Sequence, residues 1–330
     1  MRLRRVGTSG LQVSRLGLGT MTWARDTSEE DARQLLATFS GAGGNLIDTA
    51  AAYGAGDAER LIGSLINSPG NPRGVVDRDD LVVATKAGFS IRDRQRVVDT
   101  SRRAMIIDLE GSLRRLGTDY VDLWQIHTWG AAPVEETLSA LDYAVSAGLV
   151  RYAGISNFIG WQTAQAATWQ RADANRAGIT SAQVEYSLLA RRAEVEVLDA
   201  VRAFGLGFFP WSPLGRGVLT GKYREGTPRS SRAATRHFSW FVEPYLQPRS
   251  RAVVEAAARA GAGLEMSPLQ VALLWVRDAP GVTAPLLGCR TAAQLQACLS
   301  VEDSVLPDAI AAALDDVSGG PNPARTTAVA

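Results

Sequence analysis

Short apolar runs alternate with longer amphipathic segments along most of this chain. The apolar runs are rich in Val, Ile and Leu and end at polar or glycine residues, which is typical of buried strands. The segments between them repeat apolar residues at helical spacing. The predicted strands are Leu16–Gly19, Asn45–Asp48, Leu81–Lys86, Val121–His127, Val150–Ile155, Ser181–Val184, Leu206–Trp211 and Val282–Leu287. Eight strands that each precede a helix predict a closed (β/α)8 barrel of the α/β class, the TIM barrel.

Helix signals support this alternation. Ser28 can cap a helix that runs through Phe39, and Gly117 and Gly148 end two later helices. The other predicted helices are Asp57–Ile66, Thr100–Leu116, Val134–Ala147, Ile159–Arg176, Arg191–Phe204, Arg249–Ala260, Leu269–Arg277, Ala292–Leu299 and Asp308–Val317. We therefore expect a single barrel domain with extra helices over residues 1–318.

Two ends and one internal segment break the alternation. Before the first barrel strand, Leu3–Val6 and Leu11–Val13 flank a glycine-containing turn and predict a β-hairpin that plugs the bottom of the barrel. Residues 212–247 are rich in Gly, Arg, Ser and Pro, which predicts a turn followed by a mobile loop. Residues 319–330 lack apolar periodicity and are predicted to form a flexible tail.

Chemically active residues stand at the ends of three predicted strands. Asp48, Lys86 and His127 each close such a strand, and Tyr53 follows Asp48 by five residues. Because strand side chains alternate with period two, Asp48 shares a face with Leu46, Lys86 with Ala84, and His127 with Leu123 and Gln125. Barrel enzymes carry their active sites at this end of the strands. We therefore expect a carboxylate, an amine, a phenol and an imidazole to converge at the barrel mouth.

Together these four groups indicate acid–base chemistry on an oxygen atom. A free tyrosine has a pKa of about 10, and an adjacent ammonium such as Lys86 is expected to lower the pKa of Tyr53. Asp48 would keep Lys86 charged, and His127 would donate to or orient a carbonyl oxygen. The hypothesis is a site where oxygen gains negative charge while carbon receives hydride. Taken singly, such residues are more often a packing tyrosine, a salt-bridge lysine and a core histidine.

Charge balance and composition exclude several function classes. With 35 basic and 34 acidic residues, the chain offers no broad attraction to nucleic acid or anionic lipid. It has no signal-peptide pattern and no apolar run of about 18 residues, so we expect no membrane span and a cytoplasmic location. Only two histidines and two cysteines occur. We expect no metal site, and reduced thiols at Cys289 and Cys298 are favoured over a disulfide.

Several segments resemble the aldo-keto reductase family. Examples are Ile47-Asp-Thr-Ala-Ala-Ala-Tyr-Gly54 and Leu116-Gly-Thr-Asp-Tyr-Val-Asp-Leu-Trp-Gln-Ile-His127, and the similarity extends over residues 3–300. Leu219-Thr-Gly-Lys-Tyr223 makes the chain look more like the bacterial and potassium-channel-β branch than the aldose reductase branch. The other similar segments are residues 13–21, 83–86, 154–158, 183–186 and 211–217.

This resemblance implies an oxidoreductase with a catalytic tetrad and NADP(H) as cofactor. The tetrad corresponds to Asp48, Tyr53, Lys86 and His127, with Tyr53 as general acid in carbonyl reduction and as base in alcohol oxidation. The cofactor would bind extended across the mouth without a Rossmann fold. The implied cofactor contacts are Thr20, Met21 and Asp48, then Ser156, Asn157 and Gln183 at the carboxamide, Trp211 as the stacking aromatic, and Ser212, Leu214, Gly217 and Lys222 at the pyrophosphate.

A further phosphate site is indicated after the last predicted strand. Gly288-Cys-Arg-Thr291 opens a helix, and a helix N-terminus suits a phosphate. Arg290 offers a planar charged fork for a 2′-phosphate, with Gln294 one turn on, so NADPH is favoured over NADH. An ordinary exposed arginine is the alternative. Many family members carry Glu and Asn where this chain has Ala297 and Cys298, which leaves the strictness of that preference open.

The main hypothesis is an NADPH-dependent carbonyl reductase that acts on a small aldehyde or ketone. Aromatic loop residues would form an apolar wall for the substrate, with core packing as the alternative for each ring. The substrate candidates are Trp23, Tyr53, His127 and Trp129, followed by Trp240 and Phe89. Two rival functions are a cofactor-sensing subunit that resembles potassium-channel β proteins and a barrel aldolase with Lys86 as Schiff-base nucleophile. An oligomer is compatible with the sequence.

Overall fold

Parallel strands close into a ring in the computed structural model, which describes residues 1–67, 74–92, 95–229 and 231–319. The strands are β1 (Leu3–Arg5), β2 (Gln12–Ser14), β3 (Gly17–Gly19), β4 (Leu46–Asp48), β5 (Ile66–Asn67), β6 (Val76–Asp77), β7 (Val82–Ala87), β8 (Phe89–Arg92), β9 (Gln95–Val98), β10 (Val121–Ile126), β11 (Val150–Ser156), β12 (Ile179–Glu185), β13 (Gly207–Trp211) and β14 (Leu286–Leu287). Within the described residues, β3, β4, β7, β10, β11, β12, β13 and β14 pair in that order, and β14 pairs with β3 to close the barrel. The predicted TIM barrel is confirmed.

Helices connect the barrel strands and surround them. They are α1 (Glu29–Gly41), α2 (Asp57–Leu65), α3 (Arg102–Leu116), α4 (Val134–Ser146), α5 (Gly160–Arg171), α6 (Val197–Ala203), α7 (Ser239–Val242), α8 (Pro248–Leu264), α9 (Pro268–Arg277), α10 (Ala292–Leu299) and α11 (Asp308–Ser318). The Ser28 hydroxyl accepts the backbone N–H of Asp31 and caps α1 as expected. Gly117 ends α3 in the left-handed conformation, with φ of +65°. The helix signals in the sequence therefore locate real ends.

Three predicted elements are shorter in the structure, for local reasons. The predicted helix Ile159–Arg176 ends at Arg171, and the Asp173 carboxylate then accepts N–H groups of Asn175, which favours a turn over a helix. The predicted helix Arg191–Phe204 is a 3-10 turn followed by α6. The predicted strand Val282–Leu287 contributes only β14 to the ladder, because Pro285 has no N–H to donate.

Two small ribbons lie outside the barrel and were missed by the sequence pattern. The β8 and β9 strands pair antiparallel, from Phe89 opposite Val98 to Arg92 opposite Gln95. The β5 and β6 strands form a short parallel pair. The side chains of β9 are mostly exposed, so this ribbon has no buried face to impose an apolar alternation on the sequence.

The N-terminal hairpin, β1 and β2, plugs the barrel from below, as predicted. Val6, Leu11 and Val13 are buried in one cluster with inward-facing strand residues such as Leu46 and Leu123. Burying each such side chain stabilises the fold by about 1.5–3 kcal/mol. The turn of the hairpin requires glycine, because Gly7 has φ of +57° and a Cβ there would lie 2.2 Å from the Gly205 carbonyl oxygen.

A buried carboxylate ties the helix layer to the barrel beside Lys86. The Glu59 side chain on α2 is fully buried; it accepts the Thr85 hydroxyl of β7 at 2.5 Å and the Arg115 Nε of α3 at 2.7 Å. Removing Arg115 would leave the buried carboxylate without its cation, which typically costs about 3–5 kcal/mol, whereas removing the Thr85 hydroxyl would leave the ion pair intact but one carboxylate oxygen without this donor. Because Thr85 directly precedes Lys86, this contact fixes the strand position from which Lys86 projects.

The predicted loop of residues 212–247 is built from short helical turns. They comprise 3-10 turns at Gly215–Thr220, Arg232–Ala234 and Glu243–Tyr245, together with α7. The predicted tail lies outside the described residues except for Gly319, and the single-domain division and the mobility of the loop stay predictions. No helix in the described ranges has both the length and the apolar character needed to cross a membrane.

Candidate active site

Four polar side chains converge where the barrel strands end. Asp48 is the last residue of β4, Lys86 lies near the end of β7, and His127 directly follows β10. Tyr53 begins a tight turn after β4 in which Gly54 and Ala55 have φ of +58° and +56°, so the chain folds back sharply. The structure thus brings together the four residues predicted to meet. We call Asp48, Tyr53, Lys86 and His127 the Tyr53 cluster.

Lys86 links the members of this cluster. Its Nζ donates to Asp48 Oδ2 and to the Thr49 carbonyl oxygen, both at 2.7 Å, and to Tyr53 Oη at 3.4 Å. The other carboxylate oxygen of Asp48 accepts Gln183 Nε2 at 2.8 Å. The Lys86 side chain is only 1% exposed, so these three acceptors replace water around the ammonium. The ammonium is therefore fixed, with the phenol of Tyr53 as its weakest partner.

Burial decides the protonation of Tyr53. Burial alone would lower the pKa of Lys86, but the charge of Asp48, the interaction with Tyr53 and the hydrogen bonds to both together outweigh it, so the pKa lies above its usual value. Burial raises the pKa of Tyr53 above 10; Lys86 opposes that rise without reversing it, and Asp48 adds to it. Lys86 lowers the pKa of Tyr53 as expected, but burial outweighs this effect, so the expected net acidity of the phenol is not found. Tyr53 keeps its proton throughout the neutral pH range.

His127 is a neutral imidazole at the edge of the Tyr53 cluster. Burial, and then the charge of Lys86, lowers the pKa of His127 to about 3. Its ring lies edge-on to Tyr53, with centroids 6.0 Å apart, and to Phe89, with centroids 5.1 Å apart. Its Nδ1 is buried without a hydrogen-bond partner among the described residues. His127 can therefore donate one N–H to a ligand but carries no charge near neutral pH.

Asn157 connects two strand ends on the other side of His127. Its Oδ1 accepts Trp211 Nε1 at 3.0 Å, and its Nδ2 donates to the His127 carbonyl oxygen at 2.9 Å and to Ser156 Oγ at 3.1 Å. Asn157 also has φ of +56°, an unusual conformation for a residue other than glycine. Such strain persists where the surrounding contacts fix the residue, as they do here, and is common at ligand sites.

A single cavity of about 1070 Å³ covers this end of the barrel. It is at the upper limit of the sizes usual for small-molecule and cofactor sites, about 300–1,000 Å³. Tyr53 and His127 open onto it, whereas Lys86 is buried and meets it through Tyr53. All predicted cofactor contacts line this cavity, namely Thr20, Met21, Asp48, Ser156, Asn157, Gln183, Trp211, Ser212, Leu214, Gly217, Lys222, Gly288, Arg290 and Gln294.

The aromatic substrate candidates divide into two groups. Phe89 and Trp240 line the cavity. Trp23 is completely buried, and Trp129 packs edge-on against Phe158 with centroids 5.1 Å apart; neither lines the cavity. The expectation that Trp23 and Trp129 contact substrate is therefore withdrawn, because their rings are used for packing. Sequence alone could not distinguish a packing ring from a wall ring.

Three basic side chains from separate segments also line the cavity, and we call Lys222, Arg232 and Arg290 the cationic cluster. Arg232 Nη2 donates to the Gly288 carbonyl oxygen at 2.9 Å. Lys222 Nζ lies against Gly217, where a Cβ would come within 3.2 Å. Burial and the two arginines lower the pKa of Lys222 to about 8. Across the described ranges, neither Lys222 nor Arg232 forms an ion pair with a carboxylate.

Arg232 belongs to a segment that sequence reasoning described only as a loop. The segment of residues 231–247 passes over the cavity and is tied to the loop after β3. His237 Nε2 and Asp26 Oδ1 are 2.8 Å apart, and the Arg25 guanidinium lies 4.3 Å from the centre of the Phe238 ring. We call residues 231–247 the roof segment. Trp240, a predicted substrate contact, was the signal in the sequence that this segment faces a ligand, whereas nothing singled out Arg232.

Both cysteines lie in the wall of the same cavity. Cys289 and Cys298 are free thiols, with their Sγ atoms 3.9 Å apart. Cys289 follows Gly288 after β14, and Cys298 is near the end of α10. Each is at most 5% exposed in total, so the cavity is the route by which a small molecule reaches them.

The cavity fits a phosphate-bearing dinucleotide. Lys222 and Arg232 lack a carboxylate partner in the described part of the chain, and both line the cavity, so a bound anion would supply the opposite charge that the protein does not. Glycines at 217 and 288 keep backbone open beside these cations, since a Cβ at either position would touch Lys222 Nζ or Arg232 Nη2. In contrast, no group of three or more His, Cys, Asp or Glu that could hold a metal occurs in the described ranges.

Comparisons with known proteins agree with this architecture. The model of the "Aldo/keto reductase family" matches residues 15–318. The chain is 35% identical to "Uncharacterized oxidoreductase YrpG" of Bacillus subtilis (strain 168), over 96% of this chain and 95% of that protein. It is also similar to two proteins described as "Probable voltage-gated potassium channel subunit beta": 34% identical for Oryza sativa subsp. japonica, over 87% of each chain, and 31% for Arabidopsis thaliana, over 92% of each.

Proposed function

Because the chain belongs to the aldo/keto reductase family of oxidoreductases, we propose that it reduces aldehydes and ketones to alcohols with NADPH and uses Tyr53 as general acid. The observation that carries this proposal is the Tyr53 cluster, where a protonated phenol opens onto the cavity and contacts a fixed ammonium at 3.4 Å. The cofactor supplies the hydride when it is bound. The residues of this chain supply the proton, its orientation and the binding surface.

Tyr53 donates its proton to the substrate oxygen as that oxygen gains negative charge. Its raised pKa keeps the proton available at neutral pH. Lys86 then stabilises the phenolate that remains, because the ammonium already stands beside Oη. Asp48 holds Lys86 in this position and keeps it charged. In alcohol oxidation the same groups work in reverse, with Tyr53 as base.

His127 orients the carbonyl oxygen. Because its pKa is about 3, the imidazole is neutral and acts through one N–H rather than through charge. The ring stands edge-on to Tyr53, so both groups can approach one oxygen atom in the cavity. Two donors on that oxygen fix which lone pair Tyr53 protonates, which places the carbonyl carbon reproducibly.

The remaining wall residues would hold NADP(H). Asn157 and Gln183 offer amide groups near the Tyr53 cluster, and the cationic cluster offers charge for phosphates. We assign Arg290 and Arg232 to the 2′-phosphate and Lys222 to the pyrophosphate. The other assigned contacts are Thr20, Met21, Ser156, Trp211, Ser212, Leu214, Gly217, Gly288 and Gln294.

The substrate is proposed to be an apolar or aromatic aldehyde or ketone. Phe89 lies against His127 and Trp240 belongs to the roof segment, so both can cover a carbonyl compound beside Tyr53. Aromatic walls favour such substrates by apolar burial. The aldolase alternative is disfavoured, because Lys86 is engaged by three acceptors and its raised pKa keeps it an ammonium, which is no nucleophile.

A second candidate is a regulatory subunit that senses the cofactor. It is favoured by the similarity to the two plant proteins described as probable potassium channel β subunits. The Tyr53 cluster is compatible with both functions. Slow turnover with tight NADPH binding and specific capture of a channel protein would support the second candidate.

The experiment follows NADPH absorbance with 4-nitrobenzaldehyde and a small panel of ketones. We expect the Tyr53→Phe variant to bind NADPH normally and to lose about 10²–10⁴ in kcat, because only the transferable proton is removed. The Phe89→Leu variant serves as control, since it alters the wall but retains the proton donor. Undiminished turnover of Tyr53→Phe would rule out Tyr53 as the acid.

A further inference from the structure

We propose that Cys289 and Cys298 form an oxidation site, where a hydroperoxide entering the cavity converts the two thiols into a reversible disulfide and thereby weakens cofactor binding. The thiol chemistry stands on the geometry alone. The effect on the cofactor rests on the proposed function.

The two sulfurs are already in contact. The Sγ atoms lie 3.9 Å apart, and an S–S bond of about 2.05 Å is reached if each moves by about 1 Å. Cys289 lies in the connection between β14 and α10, where the backbone is not held by a helix ladder. The chain contains only these two cysteines, so no other thiol competes for either of them.

The surroundings make the two thiols unequal. Cys289 stands between Gly288, whose carbonyl oxygen accepts Arg232, and Arg290. The Arg232 guanidinium is held beside Cys289 by its hydrogen bond to the adjacent Gly288 carbonyl oxygen, and a nearby positive charge favours attack by a cysteine sulfur. The hydrogen bond to Cys289, followed by burial, raises the pKa of Cys298. Cys289 is therefore the attacking sulfur, and Cys298 stays protonated as the resolving thiol.

The oxidation proceeds in two balanced steps. The Cys289 thiolate attacks the terminal oxygen of a hydroperoxide, the O–O bond breaks, and the alkoxide leaves as an alcohol after taking a proton from water. The product is a sulfenic acid on Cys289. The Cys298 sulfur then attacks the Cys289 sulfur, an S–S bond forms, and water leaves with the proton of Cys298. The two thiols lose two electrons, which the hydroperoxide gains.

Closure of this disulfide reaches the cationic cluster directly. Drawing Cys289 toward Cys298 moves its neighbours Gly288 and Arg290, and Gly288 is the acceptor that positions Arg232. The Tyr53 cluster is held by hydrogen bonds of its own and is not linked to either cysteine by any contact among the described residues. Oxidation should therefore raise the Kd and KM for NADPH and leave kcat at saturating cofactor nearly unchanged. Bound NADPH should in turn protect the thiols.

The first experiment counts thiols in the full-length protein. After treatment with tert-butyl hydroperoxide, we expect both thiols to disappear, the intact mass to fall by two hydrogens, and dithiothreitol to restore both. The matched variants separate the roles. Cys298→Ser should stop at a sulfenic acid on Cys289 that dimedone traps, whereas Cys289→Ser should leave Cys298 unreacted. Equal reactivity of the two variants, or persistence of both thiols in the parent protein, would overturn the proposal.

The second experiment measures NADPH affinity by quenching of tryptophan fluorescence. We expect the oxidised protein to bind about tenfold more weakly, with recovery on reduction, and the Cys289→Ser variant, which forms neither sulfenic acid nor disulfide, to show no change in affinity after the same treatment. A disulfide that forms without changing the affinity would overturn the link to the cofactor. If the protein binds NADPH but reduces no carbonyl, the proposed reductase function is wrong. Thiol counting and the NADPH affinity measurement would still test the oxidation site.

Discussion

Lys86 and Lys222 serve the same cavity but lie in opposite electrostatic surroundings. Lys86 meets the cavity through Tyr53, whereas Lys222 lines it. Lys86 is paired with Asp48 at 2.7 Å, and its pKa is raised. Lys222 forms no ion pair with a carboxylate in the described residues, and its pKa is lowered to about 8. One lysine is thus charge-balanced by the protein itself. The other lysine has no opposite charge from the protein within the described residues, which a bound anion would supply.

The difference between the two lysines separates the part of the cavity that donates a proton from the part that binds phosphate. Because the charges of the Tyr53 cluster cancel internally, its geometry is set before any ligand binds, which is what a proton donor needs. Because Lys222 and Arg232 have no carboxylate partner among the described residues, a phosphate supplies the opposite charge and gains affinity from it. The Tyr53 cluster is therefore preorganised for proton transfer, whereas the charge balance of the cationic cluster is completed by the bound ligand.

Replacing each lysine by methionine tests this contrast most strongly. Lys86→Met leaves Asp48 buried without its cation, so we expect about 3–5 kcal/mol lower stability and almost complete loss of turnover. Lys222→Met removes a charge that burial disfavours, so stability should be unchanged or slightly higher. Urea unfolding of both variants checks this. Equal destabilisation of the two would show that the charges are not balanced as described.

Arg290→Gln should weaken NADPH binding about tenfold and NADH binding by less than twofold, because the charge-assisted hydrogen bonds to the 2′-phosphate are lost. Fluorescence titration with both cofactors measures the two affinities. Arg224→Gln is a matched control, since Arg224 pairs with Glu255 and does not line the cavity. Equal losses for NADPH and NADH would remove Arg290 from the 2′-phosphate site.

The pH dependence of binding should differ from that of catalysis. Lys222 is charged below its pKa of about 8, so NADPH affinity should be highest there and fall severalfold as pH rises through this value. The kcat for reduction should stay flat across neutral pH, because the pKa of His127 is about 3 and that of Tyr53 is raised above 10. Lys222→Met should abolish the change in affinity. A step in kcat near pH 8 would contradict this assignment.

The smallest effect is expected at the roof segment. Asp26→Asn weakens the contact to His237, a partly exposed hydrogen bond worth about 1 kcal/mol. NADPH dissociation should accelerate about two- to fivefold with little change in kcat, as stopped-flow fluorescence can measure. Asp57→Asn, which affects an exposed pair with Arg60, is the control. An unchanged dissociation rate would mean that this contact does not hold the roof segment.

The sequence predicted the residues whose positions follow from regular structure. Period-two alternation placed Asp48 and Lys86 on the inner face of the barrel, because one residue of slip would turn them outward. The Gly117 helix end followed from backbone sterics in the same way. Such rules are local, and the barrel repeats them at every strand.

Other features depend on contacts between distant parts of the chain. Arg232 is placed by the carbonyl oxygen of Gly288, 56 residues later, and no periodicity indicates that meeting. The raised pKa of Tyr53 follows from burial, which the pairing with Lys86 alone does not reveal. Trp129 and Trp240 are the same residue type in similar loops, yet only Trp240 lines the cavity. Tertiary packing determines the position of Arg232, the pKa of Tyr53 and which tryptophan lines the cavity.

The hairpin at the bottom of the barrel has a consequence for the order of assembly. During synthesis the hairpin emerges before the barrel strands, but Thr8 hydrogen-bonds to Gly205, 197 residues further along. Its docking surface is complete only after β13 has joined the ring, so the hairpin must wait while most of the chain is made. Contacts of such long range form slowly. The apolar side chains of the hairpin are therefore exposed on the nascent chain for longest, and binding of a chaperone to this segment would shield them.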